Sequence, residues 1–137
     1  RLELVKALAK MQDVNPSSYT ENIYKDLDNN TDKGYVVWAS KNGIIYGYDD
    51  GEFKANREIS REEVAAILNR YVEKLGIDRK EFKDIKFKDE EEISNWARTE
   101  VKKAVSRGLF QGRDDGRFDP KENIRRGEIS RVIVNLL

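Results

Sequence analysis

A mainly α-helical repeat domain is predicted from three observations on this 137-residue chain. The phrase Gly43-Ile44-Ile45-Tyr46-Gly47-Tyr48-Asp49-Asp50-Gly51-Glu52-Phe53 returns 65 positions later as Gly108-Leu109-Phe110-Gln111-Gly112-Arg113-Asp114-Asp115-Gly116-Arg117-Phe118. Each copy runs through an isoleucine (Ile59, Ile124) into an Arg-x-Glu, at Arg61/Glu63 and Arg126/Glu128, and the chain opens on a third, Arg1/Glu3. Behind each Arg-x-Glu, apolar residues recur at helical spacing. An internal period of this size marks a fold assembled from copies of one supersecondary unit.

Each unit reads as helix, loop, helix. The clearest helix is Arg61 to Leu75, where Val64, Ile67, Leu68, Tyr71, Val72 and Leu75 form one buried stripe and Gly76 stops it. Ser60 and Glu63 form a Ser-x-x-Glu capping box at its start. Leu4, Val5 and Leu8 repeat the stripe near the N-terminus; Ile129, Val132, Ile133 and Leu136 repeat it at the other end. The helix before each loop is expected at about 32–42, with Val36 and Ala39 inward, and at about 94–107, with Ala97, Val101, Ala104 and Val105 inward. Gly43 and Gly108 are their left-handed stops. Asp50-Gly51 and Asp115-Gly116 are turn dipeptides, with Phe53 and Phe118 as apolar plugs behind them. Three short amphipathic helices cannot each bury a stripe alone, so they are expected to pack around a shared axis with the other helices outside.

The start of each unit is aligned as Tyr24-Lys25-Asp26-Leu27 with Phe82-Lys83-Asp84-Ile85, an offset of 58 against 65 for the later part. That implies seven extra residues in the last unit, placed in the charged stretch 86–92 and read as a surface loop. A single domain, 1–137, is expected: the end of a first repeat at 1–11, a second repeat at 23–75 and a third at 81–137. The start at Arg1, in mid-motif, is expected for a processed or excised piece, with the first repeat lacking its front half.

Composition excludes several functions. With 26 basic and 26 acidic residues there is no bulk field toward nucleic acid or anionic lipid. No Cys and no His removes disulfides, thiolate metal sites and the usual general base. No apolar run approaches the ~20 residues that span a bilayer. Asp26-x-Asp28-x-Asn30-Thr31-Asp32 starts like a calcium loop, but Thr31 replaces its glycine and Val37 its closing glutamate. No metal and no cofactor are expected. Nothing isolates one catalytic carboxylate pair among 26 acids, so a glycosidase reading is set aside.

The candidate binding residues are Arg61, Arg126, Arg1, Asp26, Asp84, Tyr48 and Trp96. An arginine fork beside the unpaired amides of a helix start is a receptor for a carboxylate or phosphate. The plainer alternative pairs each arginine with its own Glu or with a loop Asp. Asp26 and Asp84 either cap a turn or bond sugar hydroxyls or a neighbouring arginine. Tyr48 either lies against a sugar face or plugs the loop, and Trp96 and Trp38 are core or groove-wall residues or ligand contacts.

Together these motifs resemble the S-layer homology repeat of bacterial cell-surface proteins. The resemblance rests on Tyr24-x-Asp26, Gly43-Ile44-Ile45, Gly47-Tyr48, Asp50-Gly51, Phe53 and Ile59-Ser60-Arg61 in one unit. In the other it rests on Phe82-x-Asp84, Trp96-Ala97, Gly108, Gly112, Asp115-Gly116, Phe118, Pro120, Ile124 and Arg126. Arg113 stands where the family has Tyr, Arg125 where it has Thr, and Trp38 does not align with Trp96. The resemblance implies a pseudo-threefold domain with a central bundle of repeat helices, peripheral helices and loops, and grooves between repeats. It also implies a non-catalytic module on the bacterial cell surface that anchors an exported protein to cell-wall polysaccharide, through an anionic, pyruvylated sugar. No nucleic acid or membrane insertion is expected, and the groove that needs the missing front half of the first repeat is expected either to be absent or to be completed by a partner segment outside this chain. A structural assembly module with internally ion-paired arginines is the competing reading.

Overall fold

The computed structural model describes residues 1–80 and 84–136. They are mainly helical: α1 (Leu2–Met11), α2 (Lys33–Lys41), α3 (Arg61–Lys74), α4 (Arg98–Ser106) and α5 (Arg126–Leu136), with short 3-10 turns at Pro16–Ser18, Lys25–Leu27 and Glu90–Glu92. Among the described residues the one extended pairing is an isolated antiparallel bridge, Ser60 with Asn123. The chain divides into two compact units, Arg1–Arg57 and Glu58–Leu137. Packing therefore groups the closing helix of one sequence repeat with the front half of the next.

In the first unit, α1 buries the stripe Leu4, Val5, Leu8 and Ala9. It packs against α2, whose Val36, Val37, Trp38 and Ala39 are buried. Gly34 lets α2 press on the Pro16–Ser18 turn, since a Cβ there would lie 2.0 Å from the Pro16 carbonyl oxygen. Gly43, at φ 70°, ends the helix, and the Ile44 amide turns back to the Ala39 carbonyl at 2.9 Å. Phe53 fills the loop interior at 0% exposure.

The second unit repeats the plan. α3 packs on α4, which buries Val101, Ala104 and Val105 and stops at Gly108, φ 73°. Ser60 caps α3 by accepting the Glu63 amide at 3.3 Å, and the Glu63 carboxylate takes the Ser60 hydroxyl rather than reaching the Ser60 amide. The two amides that follow are occupied as well: Arg61 N–H donates to the Glu122 carbonyl (2.8 Å) and Glu62 N–H to the Pro120 carbonyl (3.0 Å). On α5 only Val132 is buried, and Val134 is 64% exposed.

The repeat start is corrected. Asp26 accepts the amides of Phe53 (2.9 Å) and Lys54 (2.8 Å). The residue doing this in the second unit is Asp89, which accepts Phe118 and Asp119 at 2.8 Å each. Tyr24 packs on Phe53 and against Gly47; Phe87 packs on Phe118 and against Gly112. The opening motif is thus Phe87-Lys88-Asp89 and not Phe82-Lys83-Asp84. Phe82 and Lys83 lie outside the described residues, and Asp84 is exposed. Tyr24 to Phe87 is 63 positions and Gly43 to Gly108 is 65, so the insertion is two residues rather than seven.

Candidate functional site

At the start of α3 the Arg61 side chain, 3% exposed, turns into the loop of the following half-repeat. Its Nε donates to the Phe118 carbonyl (2.8 Å), Nη2 to the Gln111 carbonyl (2.9 Å) and Nη1 to Glu128 Oε2 (2.9 Å). The guanidinium also lies over the rings of Phe110 (4.8 Å) and Phe118 (5.3 Å). Burial, and next the Arg113 charge, lower its pKa, with Glu128, Asp119 and Glu122 opposing. The expectation of an open receptor at this helix start is therefore corrected: both the fork and the adjoining amides are satisfied within the chain. Its acid is neither its own Glu63 nor a loop aspartate but Glu128, from the next Arg-x-Glu. The reason is geometric, because the side chain leaves the helix end toward the following loop.

Arg1 reproduces part of the arrangement in the first unit, although its Nε has no carbonyl partner equivalent to Phe118 among the described residues. Nη2 donates to the Tyr46 carbonyl at 2.5 Å, and the guanidinium lies 4.8 Å from the Phe53 ring and 4.6 Å from the Tyr48 ring. Leu2 N–H to Ala55 O (3.2 Å) matches Glu62 N–H to Pro120 O. The acceptors Tyr46 and Gln111, and Ala55 and Pro120, are each 65 positions apart. The sequence period is thus also a period in hydrogen bonding.

Beside Arg61 a cleft of about 200 Å³ remains, lined by Gln111, Arg113, Asp114, Glu128, Arg131 and Asn135 among others. It is smaller than the ~300–1,000 Å³ usual for drug-sized ligands. Arg113 on its wall is ion-paired to Glu122 (2.9 Å), Asp119 (3.2 Å) and Glu128 (3.4 Å). Burial acts to lower its pKa, but these acids outweigh it and the net shift is upward.

The other candidates scatter. Arg126, at the first position of α5, is exposed and makes no ion pair among the described residues. Asp26 staples the loop, and although desolvation pushes its pKa up, the Phe53 and Lys54 amides bring it below the ordinary carboxylate value. Asp84 makes no hydrogen bond among the described residues. Trp96 is 54% exposed, with the Arg70 guanidinium 6.0 Å from its ring, whereas Trp38 is core at 5%. Tyr48 is half-buried in its loop.

Sequence reasoning missed Glu62, 3% exposed, which accepts the Ser94 amide (2.8 Å), the Ser94 hydroxyl (2.7 Å) and Lys121 (2.8 Å). It also missed Glu128 as the partner of Arg61, although that glutamate is in plain view in the third Arg-x-Glu.

A helix-start arginine threaded through an aromatic, Asp-stapled loop, built twice in one chain, defines a repeat module of tandem helix–loop units. Residues 23–65 and 86–129 match the S-layer homology domain. The chain belongs to that family. It is 29% identical over 98% of its length to the cellulosome-anchoring protein of Acetivibrio thermocellus, of which it spans 31%. It is 37% identical over 74% to cell surface glycoprotein 1 of the same organism, spanning 4%. It is 36% identical over 72% to an endoglucanase of Bacillus sp. strain KSM-635, spanning 11%. The chain covers less than a third of each of these relatives.

Proposed function

We propose that the chain is a non-catalytic module that attaches an exported protein to the bacterial cell wall by binding an anionic secondary cell-wall polysaccharide. The observation that carries this reading is the company the segment keeps. An anchoring protein, a surface glycoprotein and an endoglucanase share it, as 31%, 4% and 11% of their lengths. A segment common to proteins of such different kinds supplies a shared task, and cell-surface attachment is the one that fits all three. Trp96, Arg126 and Tyr48 offer aromatic and cationic groups to a sugar, while Arg1 and Asp26 hold the loop that presents Tyr48 and Arg61 holds the equivalent loop of the second unit. A carboxylate on the sugar, as in a pyruvate ketal, suits the arginines.

One observation favours the competing assembly reading: each nitrogen of the buried Arg61 guanidinium already donates to an intramolecular partner. Co-sedimentation with purified sacculi, before and after chemical removal of the polysaccharide, separates the two. Glycan anchoring requires binding that disappears with the polysaccharide. Binding that survives removal, or self-association without wall binding, overturns it. No sugar release from the same sacculi is expected.

A further inference from the structure

The two units keep the same backbone frame around the helix-start arginine and reverse the charge on its rim. In the second unit the rim is Arg113, Asp119 and Glu122, and the two acids neutralise the arginine at 3.2 and 2.9 Å. Sixty-five positions earlier the same three places hold Tyr48, Lys54 and Arg57. Lys54 and Asp119 even share the left-handed backbone, at φ 59° and 55°. Where the second unit has two acids and an arginine, the first has two bases and a tyrosine.

The result in the first unit is a cluster of like charge. The Tyr48 ring has Arg1 Cζ at 4.6 Å, Arg57 Cζ at 4.8 Å and Lys54 Nζ at 4.9 Å from its centre. Asp50 pairs with Lys54 at 3.2 Å, and the exposed Arg57 has no ion pair among the described residues. The Tyr48 hydroxyl is enclosed there without a hydrogen-bond partner. Like charges gathered around one ring repel one another and favour an anion beside them. A neutralised rim has no such demand.

We propose that Lys54 and Arg57, held against the Tyr48 ring, form the carboxylate-recognising site of this chain, with the two cations on the acid group of the sugar. The Arg113 rim of the second unit does not take that role. Lys54 and Arg57 belong to no binding motif read from the sequence. The assignment rests on the glycan-anchoring reading above.

The test transplants the second unit's rim into the first as Lys54→Asp with Arg57→Glu in the full chain, read by co-sedimentation with sacculi. Aspartate tolerates a left-handed backbone and Arg57 is exposed, so the fold should persist, as checked by circular-dichroism melting. A second variant, Arg57→Gln alone, guards against misfolding of the first. The expected result is a loss of affinity of about tenfold or more for the double variant, a smaller loss for Arg57→Gln, and a shallower dependence on salt for both. Wild-type binding that both variants retain unchanged overturns this assignment and leaves the anchoring reading standing. If the wild-type chain does not bind sacculi, both fall.

Discussion

Replacing Asp89 with alanine would leave the amides of Phe118 and Asp119 without acceptors, and the first of these is buried. Hydrogen bonds to a charged acceptor contribute about 1.5–3 kcal/mol each, so a loss of roughly 2–4 kcal/mol is expected in urea unfolding. Asp84→Ala should change stability by less than about 0.5 kcal/mol, because that side chain is exposed and unpartnered among the described residues. Equal effects of the two substitutions would contradict the corrected register. The pair also shows where the sequence stopped being legible. Phe-Lys-Asp occurs twice, at 82–84 and 87–89, and either reads as a repeat start. Only the contact with the Phe118 amide decides between them, although the offset of 63, closer to the period of 65, was a usable signal. Asp26 adds a dependence on pH. Its folded pKa lies below the ordinary 3.8, so its contribution is fully present above that value and is lost as pH falls through the lower, folded one. Acid unfolding followed by tryptophan fluorescence should therefore begin at higher pH in Asp26→Asn than in the wild type.

Helices were the readable elements because their signals are local. The stripe and Gly76 placed α3 at Arg61 to Leu75 against Arg61–Lys74 observed, and Val36, Ala39 and Gly43 placed α2 within a residue at each end. α4 begins later than expected, at Arg98, since Ser94 is drawn to Glu62 and the intervening residues form a turn. What spacing cannot show is the partner of a side chain that leaves its helix. The place of Arg61 at the helix start points to a receptor, yet its side chain is consumed in tying α3 to the following loop and to α5. Arg61→Ala should accordingly act on stability before binding. Removing one member of a buried pair costs about 3–5 kcal/mol, and the partial exposure of Glu128 trims that to roughly 2–4. Arg61→Lys keeps the charge but cannot reproduce the three-way fork, so it should recover only part of the loss in thermal melting. An Arg61→Ala protein that melts like the wild type would mean the fork does not hold the loop.

At the scale of the whole chain, charge is balanced, 26 against 26, and that balance bears on selectivity. A chain without net charge gains little from the bulk field of a polyanion, so attraction has to come from a local cluster within about a Debye length, ~8 Å at physiological salt. Retention on DNA or on anionic phospholipid vesicles is therefore expected to be negligible near 0.15 M salt, while binding to sacculi persists there and weakens as salt is raised. The double variant Lys54→Asp/Arg57→Glu moves the net charge from zero to −4, since each substitution exchanges +1 for −1. A bulk mechanism would then predict a uniform loss of affinity for every polyanion, matched by any other four-unit change on the surface. The local mechanism predicts that four units removed elsewhere, for example Lys10→Glu with Lys80→Glu, leave sacculus binding within about twofold of wild type. Measuring both double variants side by side across a salt series distinguishes a site from a field, and equal losses in the two would decide for the field.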